Sequence, residues 1–314
     1  MRIVFFGSGA FGVPTLELLA RGHEIALVVS QPDRPAGRGK SLTPTPLAAR
    51  ALELGLEVLR PEDVNEASVR QRIRSAGADA WVVIAFGQKL SRELLDGVFA
   101  INLHGSLLPA YRGAAPIQRA VMDGCAETGV SVISLAERMD AGLVYAEKRR
   151  AIGSTETSDE VHDALAALGP EVISEVLERH AHGTLVGQAQ DEARATRARK
   201  LSKSDGTIDF GASDAGAARA LVNGLNPWPG CTVMVGPTPL KLCRVDQGDP
   251  RGLGEDAIGV LQADGRVRAR SGAVRILELQ PLGGRKMSFE EFVRGRPTLV
   301  GLRIEPAVEG PAAR

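Results

Sequence analysis

Asn102 and His104 stand two residues apart at the end of the apolar run Gly97-Val98-Phe99-Ala100-Ile101. Residues at i and i+2 of a strand leave the same face, so an amide and an imidazole are expected to point at one small volume. An amide N–H can stabilise a carbonyl oxygen that is gaining negative charge. An imidazole can take or give a proton near neutral pH. The turn Gly105-Ser106-Leu107-Leu108-Pro109 and the run Tyr111-Arg112-Gly113-Ala114-Ala115-Pro116-Ile117 follow, and their glycines and prolines leave room for a flat ligand. Taken alone, Asn-x-His at a strand end also fits a satisfied hydrogen-bonding corner. A carboxylate, Asp140 in Met139-Asp140-Ala141-Gly142, lies in the turn after the strand-like Thr128–Ile133. In doubly wound sheets ligands gather beyond the carboxyl ends of strands, so Asp140 is expected on the same edge as Asn102 and His104. An isolated Asp there would read as a turn former.

The elements that must position these groups follow from pattern. Ile3–Phe6, Ile25–Ser30, Ala80–Ala85, Ala100–Leu103 and Val130–Leu135 are short apolar runs suited to strands covered on both faces. Val13–Ala20, Pro46–Leu54, Glu66–Ala76 and Ile117–Asp123 have helical spacing, and one long helix is predicted over Ser158–His180, with Thr157 or Ser158 as cap and Glu160 in its first turn. This alternation predicts a doubly wound, mostly parallel Rossmann-like α/β sheet over residues 1–189. Residues 190–207 read as an exposed linker rich in Arg, Lys and Asp. Over 208–314 a helix at Ala215–Asn223 and short β-rich pieces, including Ile258–Leu261, predict a smaller β-barrel of OB-like type. Glu305–Arg314 is expected to fray.

Bulk composition narrows the classes. The 314 residues are 44% hydrophobic and 24% charged, with 38 basic and 38 acidic side chains. That balance excludes a globally charged polyanion binder and leaves only local basic patches for phosphate contacts. Cys125, Cys231 and Cys243 are too few and scattered for a disulfide framework, and are expected to be reduced and buried. His23, His162, His180 and His182 form no ligand-spaced cluster, so no metal is expected, and His180 and His182 read as solvated surface. No leader segment and no run long enough to span a bilayer are seen, which predicts a cytoplasmic protein without membrane contact.

Gly7-Ser8-Gly9-Ala10-Phe11-Gly12 matches the dinucleotide fingerprint literally. The second strand, however, ends Val28-Val29-Ser30-Gln31, without the acid that would hold a ribose. The glycines then serve a tight turn out of the strand. Arg34 keeps an NADP-dependent oxidoreductase open as the rival enzyme class.

With Asn102, His104, Asp140 and the Ser106–Pro109 turn together, the chain resembles the folate-dependent formyltransferases. The resemblance extends to Gln31–Lys40, Lys200-Leu201-Ser202-Lys203 and Asn226-Pro227-Trp228-Pro229, and so covers nearly the whole chain. It implies direct transfer of the formyl group of 10-formyltetrahydrofolate to a primary amine, through a tetrahedral intermediate and without a metal. Asn102 would donate to the oxyanion, His104 would relay the proton, and Asp140 would fix the imidazole's orientation and tautomer. Ser106, Leu107, Leu108 and Pro109 would contact the folate, as would Phe86, Gly87 and Gln88, a loop that could equally be a plain turn. Within the family, the Arg34–Lys40 loop and the C-terminal half point to the branch acting on initiator methionyl-tRNA. That branch implies RNA contacts from Arg34, Arg38, Lys40, Lys200 and Lys203, in a chain expected to act as a monomer. A family member acting on a nucleotide sugar or small amine is the alternative. Arg266, Arg268 and Arg270 fit an RNA-facing strand and a solvated one equally, and Trp228 is expected to plug a core. Leu143 stands where many members carry a second acid, so it receives no role.

Overall fold

The computed structural model describes residues 1–36 and 41–307. The chain divides into two compact units: Met1–Gly113 with Gly129–Arg150 and His162–Arg197, and Ala114–Thr128 with Ala151–Val161 and Ala198–Arg314. No helix among the described residues is long and apolar enough to cross a membrane.

A seven-stranded sheet forms the centre of the first unit, in the order Val144–Ala151, Glu127–Ser134, Ala100–His104, Ala80–Ile84, Arg2–Gly7, Glu24–Val29, Val58–Leu59. The five strands from Ala100–His104 to Val58–Leu59 run parallel, while Glu127–Ser134 pairs antiparallel with Ala100–His104. All five residues of Ala80–Ile84 are buried, as are five of the six in Arg2–Gly7. Continuous apolar runs are what a sheet covered on both faces requires. Phe6 meets Trp81 and Phe86 at ring-centroid distances of 5.2 and 5.5 Å, which closes one core layer beneath the strand ends. The chain leaves Arg2–Gly7 toward Glu24–Val29 on one side and returns to Ala80–Ile84 on the other. The strand order therefore reverses between Gly7 and Ala85, where such sheets open a crevice.

Several expectations change. The strand carrying the amide and imidazole begins at Ala100, as predicted, but runs one residue further, so that His104 as well as Asn102 lies within it. The long helix over Ser158–His180 is two helices, Ser158–Ala166 and Gly169–Ala181. Pro170 cannot continue a helix, having no N–H, and fits only in a first turn. A Cβ on Gly169 would lie 2.7 Å from Leu103 and Thr15, so the second helix packs directly over the sheet. His180 is not simply solvated: its ring stacks on Phe99 at 3.5 Å. Gly7 and Gly12 are needed for close packing rather than for turn conformation, since a Cβ on either would press within 2.9 Å of Leu47.

In the second unit a six-stranded antiparallel sheet curls around one core. Its order is Arg266–Arg268, Ala273–Pro281, Thr238–Gly248, Cys231–Val235, Ile304–Pro306, with Met287–Ser288 also on Ala273–Pro281. Phe210, Val245, Leu279, Phe289 and Phe292 fill it. Ile258–Leu261 makes isolated bridges rather than a strand. Glu305 and Pro306, expected to fray, are held in the terminal strand. Trp228 is 53% exposed, so it plugs no core. Cys231 and Cys243 are buried as expected, and burial pushes the Cys231 thiol up to about 12.

Asn223, on helix Ala215–Leu225, replaces a missing strand partner. The strand Thr238–Gly248 bulges around Arg244, and Asn223 both donates to the carbonyl and accepts from the N–H of Val245, each at 2.9 Å. Replacing it by Ala strands two buried backbone groups and should lower unfolding free energy by about 2–4 kcal/mol, checked by denaturant titration. Glu160 accepts from Arg244 at 2.7 Å and from the Thr157 N–H at 2.9 Å. The Arg244 guanidinium holds the Glu160 carboxyl at about 2, below its ordinary 4.5. A depressed carboxyl contributes stability fully above pH 4.5 and loses it as the pH falls to about 2. The stability gap between the native chain and Glu160→Gln should therefore close over that window in pH-dependent thermal melts.

Candidate active site

The site is assembled at the carboxyl ends of the parallel strands of the first unit. The His104 side chain is only 7% exposed, and its Nε2 lies 2.9 Å from the carbonyl oxygen of Tyr111. A carbonyl only accepts, so Nε2 carries the hydrogen. Nδ1 faces Asp140 Oδ2 at 3.7 Å. This places the imidazole and the carboxylate together, as the sequence predicted, but the tautomer is set by Tyr111 O rather than by Asp140. The same Asp140 Oδ2 accepts the Gly113 N–H at 2.9 Å. The segment 111–113 thus fixes both groups.

Asp140 occupies an uncommon backbone state, at φ +55°. Its turn is pressed onto the end of Glu127–Ser134, so closely that a Cβ on Gly142 would lie 1.8 Å from Ser134 O. Only glycine fits there, which explains Asp-x-Gly physically. Two bonds pin the chain beyond it: Leu143 N–H donates to Ser134 Oγ at 2.9 Å, and Ser134 N–H to Leu143 O at 2.9 Å. Gln190 adds two more, its Nε2 donating to the carbonyls of Asp140 and Gly142 at 2.8 Å each. Gln190 Oε1 accepts in turn from Arg112 Nε at 3.0 Å and Nη2 at 2.7 Å. Arg112 is buried and also pairs with Glu192, whose carboxyl it holds at about 2 with help from Arg138.

Asn102 is half-buried, and its side-chain amide has no hydrogen-bond partner among the described residues. It leaves the same strand face as His104. The Ser106–Pro109 turn is more scaffold than lining. Ser106 is fully buried and its Oγ donates to Ala110 O at 2.7 Å, and the Leu108 N–H donates to Ser131 Oγ at 3.1 Å. Leu108 is buried, while Leu107 and Pro109 are half-buried.

At the crevice, Phe86 is buried, but the flanking Ala85 and Gly87 are exposed at φ +48° and +87°. Ser8 Oγ and Gln31 Nε2 both donate to Phe86 O, at 2.9 and 3.2 Å. Gln31 therefore stands where a dinucleotide enzyme keeps its ribose acid and instead braces this loop. Gln88 accepts from Val64 N at 2.8 Å and donates to Pro61 O at 3.1 Å, so its side chain is committed to the backbone.

The basic residues are dispersed. Arg34 lies in the short strand Arg34–Ala36, which pairs with Ser41–Thr43, and is bound to Glu62 at 2.9 Å. Arg38 and Lys40 lie outside the described residues. Lys200 and Lys203 are exposed. Arg266 is engaged by Asp264 and by the carbonyls of Asp249 and Arg251, Arg268 by Leu253 O, and Arg270 sits 3.9 Å from Asp214. Arg266 and Arg268 flank buried Val267 and so leave one strand face, with Arg270 beyond the strand, and all three guanidiniums are engaged by local acceptors. Among the described residues no group of three or more His, Cys, Asp or Glu is arranged to hold a metal ion.

Sequence reasoning missed Tyr111 O, Gln190 and the Arg112–Glu192 pair. Tyr111 acts through its backbone and left no signal in residue type. Gln190 sat in a polar stretch read as linker.

An amide, an imidazole and a carboxylate thus stand at the opening of a parallel sheet, and comparison with known proteins is specific. Residues 1–177 match the formyl transferase family and residues 200–297 the formyl transferase C-terminal domain; the chain belongs to this family. It is 41% identical to the methionyl-tRNA formyltransferase of Heliobacterium modesticaldum, over 97% of this chain and 100% of that one. The methionyl-tRNA formyltransferase of Neisseria meningitidis is 40% identical over 97% of this chain and 100% of its own length. Among solved structures, an N-formyltransferase from Helicobacter canadensis in complex with folinic acid and dTDP-3-aminofucose superposes with a TM-score of 0.66 at 13% identity, over 91% of this chain and 99% of that one. HypX from Aquifex aeolicus in complex with tetrahydrofolic acid gives 0.62 at 17%, over 93% of this chain and 47% of that one. At such identities the structures show a shared fold.

If Gly142 is required by its approach to Ser134 O, Gly142→Ala should displace the Asp140 turn. Amide exchange of Leu143 and Ser134 should then rise by tenfold or more, roughly the effect of about 1.4 kcal/mol of local destabilisation, and unchanged exchange would contradict the packing argument.

Proposed function

We propose that this chain transfers the formyl group of 10-formyltetrahydrofolate to the α-amine of methionine carried by initiator tRNA. The observation that carries the reading is the fixed pair at His104: Nε2 held by Tyr111 O and Nδ1 turned to Asp140 at 3.7 Å. Full-length identity of 41% to a methionyl-tRNA formyltransferase supports the acceptor.

The chemistry follows from charge. The amine attacks as its free base, the formyl oxygen becomes an oxyanion, and N10 of the folate leaves once it has gained a proton. The uncommitted Asn102 amide donates to the oxyanion. His104 Nδ1 takes the proton from the attacking nitrogen and returns it toward the leaving one, and the Asp140 carboxylate offsets the positive charge on the ring meanwhile. The exposed backbone of Ala85 and Gly87, at the strand-order reversal beside Asn102, gives a flat heterocycle main-chain groups to pair with. Ser106 and Leu108 shape the turn from behind, with Leu107 and Pro109 nearer the surface. For the tRNA, Arg34, Arg38 and Lys40 form one contact region and Lys200 and Lys203 another, with residues 1–189 as catalytic domain, 208–314 as RNA-facing domain and 190–207 between them. The reaction belongs in the cytoplasm, where charged tRNA is made.

Asn102→Ala should reduce kcat by about 10²–10³-fold with an unchanged far-UV spectrum, the loss typical of one oxyanion donor. Turnover near the native rate would contradict its role. Offered charged initiator tRNA, charged elongator tRNA and a nucleotide-linked amino sugar with the same folate donor, the enzyme should formylate the first by far the fastest. Equal or greater rates with the amino sugar would move the chain to the sugar branch.

A further inference from the structure

We propose that Gln190 is a positioning residue for this reaction, because a single side-chain amide ties together the two segments that hold His104 and Asp140. The inference rests on the reading of Asp140 as the carboxylate of the site.

One segment is the Asp140 turn, which Gln190 grips through two main-chain carbonyls, of Asp140 and Gly142, at 2.8 Å each. The other is Tyr111–Gly113. It supplies the carbonyl that sets the His104 tautomer and the N–H that holds Asp140 Oδ2, and Gln190 grips it through Arg112 at 2.7 and 3.0 Å. The orientation of the amide is settled by its partners: carbonyls only accept and a guanidinium only donates. Three further facts show that something must perform this task. Asp140 is held at φ +55°, a state that non-glycine residues keep only when their surroundings enforce it. The His104–Asp140 separation of 3.7 Å is too long for a direct hydrogen bond to maintain the pair. Arg112 is 8% exposed, so its charge needs buried acceptors, and Gln190 Oε1 is one of them. No other side chain of this length does both jobs. Glutamate keeps the acceptor for Arg112 but loses both donors, lysine keeps donors and loses the acceptor, and methionine keeps only the volume.

The test uses the full chain and steady-state formyl transfer, with Gln190→Glu, Gln190→Met, Asp140→Asn and the double variant Gln190→Met/Asp140→Asn. Both Gln190 variants should lower kcat at least tenfold while KM for the folate donor stays within about threefold. The double variant should lose clearly less than the product of the two single losses, because part of what Gln190 does is hold the Asp140 turn. A purely structural role predicts instead a lowered melting temperature with losses that multiply. Gln190→Glu or Gln190→Met at the native kcat, or multiplying losses in the double variant, overturns the proposal. Native turnover by Asp140→Asn would instead overturn the site reading beneath it, so the two failures are distinguishable.

Discussion

A carbonyl oxygen has no proton to give, and that simple fact governs this site. With Tyr111 O at 2.9 Å, His104 Nε2 must hold a hydrogen, and the ring has one nitrogen left with which to exchange protons. Everything else is arranged around the direction in which that nitrogen points. Asp140 faces it, and Asn102 leaves the same strand two residues earlier. A histidine free to flip would present either nitrogen. One held by a main-chain acceptor presents the same atom throughout.

The main chain that performs this fixing is itself held by charge. Arg112 follows Tyr111 directly, and its buried guanidinium is shared between Gln190 and Glu192. Glu192 remains ionised far into the acid range because Arg112 and Arg138 both donate to it. His104 and Asp140 are therefore supported by a second tier of polar contacts within the same unit. A buried arginine left half satisfied would loosen that tier, since each unpaired donor in a low-dielectric setting is costly.

The core and the chemistry of this protein were legible in its sequence for different reasons. Strands such as Ala80–Ile84 announce themselves because burial on both faces requires unbroken apolar runs. Asn102, His104 and Asp140 were legible as candidates because their side-chain types suit the chemistry and their spacing matched strand periodicity and a turn. What escaped depends on backbone or on long-range pairing. Tyr111 contributes a carbonyl, which every residue has. Gln190 lies fifty positions from the turn it grips, and a polar residue among Asp and Arg resembles any solvated segment. The helix break at Pro170 was visible in principle, but the apolar spacing on either side of it outweighed the proline in the reading. Trp228 was misplaced because large aromatics usually bury. The triple glycine illustrates the reverse error: its pattern was right and its reason wrong, since Ile84 and Leu47, distant in the chain, are what crowd a side chain at Gly7 and Gly12.

Gln88 spends both ends of its amide on the main chain of Pro61 and Val64, and Phe86 turns its ring into the core. What faces outward between them is Gly87, at φ +87°, with Ala85 at φ +48° just before. A loop whose outline rests on left-handed backbone can change its neighbours freely but not this glycine, because a side chain at Gly87 would be strained and would press on Gln31.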